Sequence, residues 1–286
     1  MSNLFKDLLK IKAVKSKDVF LYSKKTRDKK INIYKDRNTN VIFIKKKLTK
    51  NYYQKRNYND DVITIKKRYN LKNPIKIYVK DYKRRINFIK TSKKKKLLDV
   101  GSALGDFLQL VKKKFKIAEG VELNEEHRKK SSKYLNIYKN LDEVKNKYDV
   151  ITLFHVLEHV PDQIKFINTI YNKLNKSGYL YLEVPCAHDY LLDLNSYKNF
   201  ILWSEHLVLH TKNSIIKLLK NSNFKNVNVN FVQRYDANNL MGWLIDGKPG
   251  GHERYNHFNN SFNIFYKRLI EKKEVSDTIF ITARKK

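Results

Sequence analysis

From residue 96 onward, short apolar runs alternate with longer segments whose apolar residues recur at helical spacing. KLLDVG (96–101) predicts a strand ending at a glycine, and GDFLQLVKKKF (105–115) puts Phe107, Leu108, Val111 and Phe115 on one helical face. IAEGVEL (117–123) predicts a second strand, and NEEHRKKSSKYL (124–135) a polar helix with Asn124 as its N-cap. YDVITLF (148–154) is a third strand. PDQIKFINTIYNKL (161–174) predicts a helix with Pro161 at its start, where the missing N–H does no harm. GYLYLEVP (178–185), NVNVNFVQR (226–234) and DTIFITA (277–283) complete the strands, with a helix at TKNSIIKLLKNSNF (211–224). Strand–helix alternation of this kind predicts an α/β fold with a parallel sheet covered on both faces. Residues 235–276 form an insertion before the last strand, with a loop at DGKPGG (246–251) and a helix at SFNIFYKRLIEK.

Residues 1–90 carry a different pattern. DVFLY (18–22), INIYK (31–35) and NVIFI (40–44) alternate like short strands, joined by polar, basic pieces. NYYQKRNYND (51–60) is aromatic and charged, and IKIYVKDYKRRINFIK (75–90) predicts a helix packing on the domain C-terminal to it. The expected organisation is an N-terminal β-rich, basic accessory region over 1–90 and a main domain over 91–286.

Composition narrows the function. With 286 residues and 41% apolar content, the chain can bury a substantial core. A single cysteine, Cys186, excludes a disulfide framework or a Cys-ligated zinc within one chain. The opening residues are amphipathic and too charged for a signal peptide, and no apolar run is long enough to span a membrane, so a soluble, cytoplasmic protein is expected. The net charge of +33 suits nucleic acid, anionic lipid or acidic substrates. However, Lys, Asn, Ile, Tyr and Phe, all with AT-rich codons, are abundant together, and the lysines are spread along the chain. Genomic drift explains the charge better than a selected nucleic-acid footprint.

The segment LLDVGSALGDF (97–107) joins a strand, a glycine turn and a helix start. Gly101 can turn the chain sharply and let the backbone approach a ligand. Glu122, roughly 20 residues later at the end of the next strand, can accept hydrogen bonds from both hydroxyls of a ribose. The competing reading of Glu122 is an exposed acid stabilised by a helix dipole. The glycine pattern is not G-x-G-x-x-G, so a pyrophosphate cradle is not expected.

These blocks, with YDVITLFHVLEHVPDQIKFINTIYNKLNKSGYLYLEVP and the later WSEHLVLHTKNSIIKLLKNSNF, resemble class I S-adenosylmethionine-dependent methyltransferases over about residues 90–235. The branch they resemble contains small-molecule and sugar methyltransferases of bacterial surface-polysaccharide clusters. The resemblance implies a Rossmann-like seven-stranded sheet with an antiparallel last strand, 277–283, beside 178–185, and S-adenosylmethionine as cofactor. It implies that Asp99, Gly101 and Gly105 line the methionine end and that Glu122 holds the ribose. Leu123 would then lie beside the adenine and Asp142 or its neighbour Leu141 would flank it, with Phe154 and His155 at the sheet edge. Ala103 departs from the family's D-x-G-x-G-x-G at the middle glycine, and its small side chain is expected to be tolerated. The front part of some relatives carries a Cys-ligated zinc module, whose cysteines are absent here. QRYDANNLMGWLIDGKPGGH resembles the tail of polysaccharide-locus enzymes.

Candidate chemistry lies in His155, Glu158, His159, Glu205, His206 and His210. Methyl transfer requires an aligned acceptor that loses a proton, and histidine suits that near neutral pH. His206 is expected to be the base and His159 to position the acceptor. Glu205 would orient an imidazole or bind a hydroxyl, and Glu158 would either join the site or merely order the loop. His210 reads as a structural histidine. H-x-x-E-H is the inverted zinc-protease motif only within a helix, whereas here it comes after a strand. Some RNA and quinone methyltransferases hold a divalent ion with E-x-x-E-H and a distal histidine. His155 stands where the first Glu would be, and no metal is expected. The expected partner is a small, sugar-like acceptor, either a sugar or a sugar nucleotide. The alternative is RNA held by the basic surface. An intact Asp99–Gly101–Gly105–Glu122 set argues against a non-catalytic module.

Overall fold

A computed structural model of the chain describes residues 2–45 and 75–286. The aromatic segment 51–60 lies outside the described residues. In chain order, α1 (Asn3–Lys10) precedes three short strands, β1 (Val19–Ser23), β2 (Ile33–Asp36) and β3 (Ile42–Ile44). Helix α2 (Ile75–Phe88) leads into β4 (Ser92–Val100), α3 (Asp106–Val111), β5 (Phe115–Val121), α4 (Glu125–Ser131) and β6 (Ile137–Tyr138). Next come β7 (Tyr148–Phe154), α5 (Gln163–Lys173), β8 (Leu174–Pro185), α6 (Asn195–Ile201), β9 (Val208–Leu209), α7 (Lys212–Asn221) and β10 (Phe224–Val232). The insertion holds α8 (Ala237–Ile245), the short α9 (Gly251–Arg254) and α10 (Asn260–Lys272), before β11 (Thr278–Lys285) closes the fold.

The main sheet has seven strands in the order β10-β11-β8-β7-β4-β5-β6. Its strands are parallel except β11, which runs antiparallel to both β8 and β10. The chain winds from β4 through β5 to β6 on one side, then returns to β7 and β8 on the other. Strand order reverses between β4 and β7, and a crevice opens at such a point beyond the carboxyl ends of the strands.

Successive residues of the central strands serve opposite faces, as the two-residue side-chain period requires. Leu97, Val150, Tyr181 and Phe280 pack with Ile89 after α2 and with Phe107, Leu108 and Val111 of α3. Their neighbours Leu98, Ile151, Leu182 and Ile281 pack with α5, α7 and the Leu4–Phe5–Leu8 face of α1.

The N-terminal strands make a second, four-stranded antiparallel sheet, β1-β2-β3-β9, whose last strand comes from deep within the main domain. Phe43 of β3 pairs with Val208 of β9 and stacks on Phe5 of α1 at 5.3 Å. Ile33, Ile42 and Ile44 share a core with Leu191, Tyr197, Leu202 and Trp243. The described part of residues 1–90 is therefore built into the main domain's cores and shows no packing boundary at residue 90.

Asn124 caps α4, accepting from the N–H of His127 at 3.0 Å. Helix α5 starts later than the proline suggests: Asp162 is its N-cap, so Pro161 lies ahead of the cap. Helix α8, capped by Asp236, adds to the insertion an element that its sequence pattern does not predict. Among the described residues no helix is long and apolar enough to cross a membrane.

Because the small sheet shares its core with α1 and β9, unfolding should be one cooperative transition. Phe43→Ala should lower the stability of the whole chain by about 3–5 kcal/mol, the usual cost of removing a buried phenylalanine ring. Calorimetry would check this, and an N-terminal part melting separately would contradict it.

Candidate active site

The candidate site lies at the carboxyl ends of β4, β5 and β7. The turn after β4 uses left-handed backbone at Gly101 (φ 77°) and Gly105 (φ 81°). A Cβ on Gly101 would stand 2.4 Å from Val156 Cγ2, and one on Gly105 would stand 2.5 Å from Leu135 Cδ1. Glycine is thus required twice, for backbone shape and for the close approach of the loop after β7. Ala103 also adopts positive φ, 48°, a conformation that costs an L-residue about 1–2 kcal/mol. The small side chain is accommodated, but under strain.

Glu122 holds this turn in place. Its Oε2 accepts from the Ala103 N–H at 2.8 Å and its Oε1 from the Asn124 N–H at 2.7 Å. Each oxygen keeps a second lone pair. Asp99 is buried at the end of β4, and its Oδ1 accepts from the Thr152 hydroxyl at 2.6 Å. Burial pushes its pKa up to about 7, against the pull of Thr152 and Arg85, with Glu122 adding to the rise. Leu123 is exposed, Leu141 is half-buried, and Asp142 lies exposed in a turn that Asn140 organises through its side-chain oxygen. Phe154 packs edge-on to Phe107 at 5.1 Å, with the Arg85 guanidinium 4.6 Å above its ring.

Beyond Phe154 the chain reverses at His155, whose φ is 56°. Its Nδ1 lies 3.2 Å from Glu158 Oε1 and its Nε2 lies 3.1 Å from Glu183 Oε1. Carboxylates only accept, so these two contacts suit a ring protonated on both nitrogens, whereas Arg234 Nη1, 3.4 Å from Nε2, can only donate and competes with Glu183 there. Burial pulls the His155 pKa down and Arg234 opposes the charge, yet Glu158 and Glu183 outweigh both and raise it. Glu183, fully buried in β8, also accepts from Arg85 at 3.1 and 2.5 Å and faces Arg84 at 2.7 Å. Burial would raise the Glu183 pKa, but Arg85, His155 and Arg84 hold it well below the usual carboxylate range. His155, just past the end of β7, is therefore part of an ion network. Sequence reasoning missed Glu183, Arg84, Arg85 and Arg234. The one signal in the sequence was a lone acid inside the apolar strand YLEVP.

Glu158 is fully buried, and its Oε2 has no hydrogen-bond partner. Burial works against its charge, but the His155 hydrogen bond, then His159, His155 and His206, bring its pKa down to about 2. His159 donates from Nδ1 to the Glu205 carbonyl at 2.9 Å, so Glu205 contributes here through its backbone. The His159 and His206 rings lie 5.3 Å apart, and His206 is 5.4 Å from Trp203. The structure thus brings Glu158, His159 and His206 together. It corrects the choice of His206 as base, because burial, with His159 adding to it, pushes that ring's pKa down to about 3. A group that holds a proton so weakly is a poor general base at neutral pH. His210 is buried between Ser214 at 2.9 Å and Gln163 at 3.0 Å, in a structural role.

A family model described as a methyltransferase domain matches residues 76–229, more than half of the chain. The chain belongs to that methyltransferase family. A SAM-dependent methyltransferase from Archaeoglobus fulgidus aligns with a TM-score of 0.55 at 19% identity, over 80% of this chain and all of that one. Phosphoethanolamine N-methyltransferase 2 of Haemonchus contortus, in complex with S-adenosyl-L-methionine, aligns with a TM-score of 0.54 at 14% identity, over 85% of this chain and 61% of that one. These likenesses show the shared fold. No curated protein matches the sequence.

S-adenosylmethionine is the cofactor named for both aligned methyltransferases. The residues present suit it: a glycine turn that a Cβ would obstruct, a buried acid at Asp99, and Glu122 at the end of β5. In this arrangement Asp99, Gly101 and Gly105 would hold the methionine end and Glu122 the ribose.

Two changes in S-adenosylhomocysteine affinity are expected, both readable by calorimetry. Glu122→Ala should weaken binding by about 1–3 kcal/mol, the cost of lost hydrogen bonds at a partly buried site. In the wild type, binding should tighten as pH rises through about 7, because Asp99 must ionise to meet the ligand's ammonium group. Affinity that ignores both changes would mean that these residues do not line the cofactor.

Proposed function

We propose that this methyltransferase methylates a hydroxyl of a small polar acceptor, a sugar or sugar nucleotide. One juxtaposition carries the reading. Val156 packs on Gly101, and the same short loop presents Glu158 and His159 to His206 and Trp203. Acceptor chemistry would then sit beside the methionine end of the cofactor. When bound, S-adenosylmethionine supplies a methyl group on a sulfonium that leaves readily. The chain's own residues must align the acceptor and polarise its O–H, and alignment is the larger contribution in such displacements.

The residues divide these tasks. Trp203 offers an aromatic wall on which a sugar ring can lie. Arg27, with its guanidinium 4.6 Å from the Trp203 ring, adds positive charge that suits a phosphorylated acceptor. Glu158, His159 and His206 act together on the acceptor hydroxyl. His206 alone is too weak a base for the task.

The second reading, an RNA acceptor, draws on the +33 charge. Radiolabelled S-adenosylmethionine offered with a panel of sugar nucleotides and with total RNA separates the two. Label is expected in a sugar nucleotide, and label only in RNA would reverse the assignment. His206→Ala should lower turnover by roughly 10²-fold, as misplacement of an acceptor does, with cofactor affinity kept. Full turnover in that variant would remove the cluster from the chemistry.

A further inference from the structure

Among the described residues, one carboxylate oxygen of Glu158 and one ring nitrogen each of His159 and His206 lie within 4.8 Å of one another. We propose that these three side chains form a binding site for a divalent transition-metal ion, with two imidazoles and one carboxylate on one side of it. The inference rests on the proposed acceptor chemistry only for what the ion would do; its binding is a separate matter.

The three ligands come from separate parts of the chain. Glu158 and His159 stand on the turn after β7, and His206 on the segment before β9. The Leu207 N–H donates to the Glu158 carbonyl at 2.8 Å and fastens the two segments together. Two buried atoms of the cluster, Glu158 Oε2 and His206 Nδ1, make no hydrogen bond, although buried polar atoms are nearly always paired. Glu158 is fully buried.

The outer contacts are those that orient metal ligands. His155 holds the other carboxylate oxygen of Glu158 at 3.2 Å, and the Glu205 carbonyl takes the Nδ1 proton of His159 at 2.9 Å.

Mixed imidazole and carboxylate ligation selects zinc, manganese, iron(II) or cobalt over magnesium, which prefers oxygen ligands. Three protein ligands leave further positions open. Two neighbouring hydroxyls of a sugar could fill them, which would fix the acceptor and make its hydroxyl more acidic.

Cobalt(II) is the probe, because its visible absorption reports the coordination shell. The full chain, stripped with EDTA and desalted, is titrated with cobalt chloride in the absence of cofactor and acceptor. Visible bands should appear, saturate at one cobalt per chain and disappear on addition of zinc chloride. His206→Ala and Glu158→Gln, each shown by circular dichroism to be folded, should lose the bands. Absence of bands in the wild type would overturn the proposal. So would bands of equal stoichiometry in folded His206→Ala, which would place the cobalt elsewhere. If Glu158→Gln unfolds, His206→Ala decides alone. Cobalt binding with no turnover of any sugar nucleotide would keep the metal site and reject the sugar acceptor.

Discussion

The carboxylate of Glu183, fully buried in a central strand, is the charge around which the rest of the site is arranged. An ion taken out of water costs several kcal/mol unless partners surround it, and here they come from two directions. Arg85 and Arg84 reach it from α2, and His155 reaches it from the turn after β7. Arg234, after β10, pairs with Asp277 at 3.2 Å and faces Asp81 of α2 at 3.9 Å, extending the network to the far edge of the sheet. Loss of the Glu183 charge would leave the buried Arg85 guanidinium without its carboxylate partner, a change that typically costs 3–5 kcal/mol. The helix ahead of the sheet and the turn after β7 are thereby locked to the same strand.

That lock decides where the chemistry can be. His155 is held at positive φ, which a histidine adopts only when its surroundings compensate, and its two carboxylate partners do so. The reversal throws Val156 onto Gly101 and turns Glu158 inward. A second clamp works from the other side: the Leu207 N–H meets the Glu158 carbonyl, and the Glu205 carbonyl meets the His159 ring. Strand β9 comes immediately after and joins the N-terminal sheet. The small sheet therefore steadies the segment that carries Trp203, Glu205 and His206.

Much of this fold was legible in the sequence because its main strands are long enough to show a period. YDVITLF is β7 residue for residue, and Asn124 is the cap that its side chain promised. Strand β9 was not legible: two residues carry no pattern, and so the N-terminal strands looked like a separate region. The glycine turn and Glu122 could be recognised because their spacing is local. The ion pair on Glu183 could not, because Arg85 and Glu183 are 98 residues apart and only the folded sheet brings them together. The same limit explains His206. Its residue type suggested a base, whereas its basicity is set by burial and by His159, neither of which is visible in S-E-H-L.

The central claim is that His155 bridges the buried carboxylates of Glu158 and Glu183, which favour its charged form. The most direct test is the ¹⁵N spectrum of the imidazole nitrogens in histidine-labelled protein, with the His155 signals identified by their loss in His155→Gln. The His155 ring should keep its second proton to a higher pH than an ordinary histidine does, because its pKa is raised above the usual value of about 6.5. Protons should leave only at higher pH. A His155 ring that loses its second proton at or below the pH at which an ordinary histidine does would contradict the account.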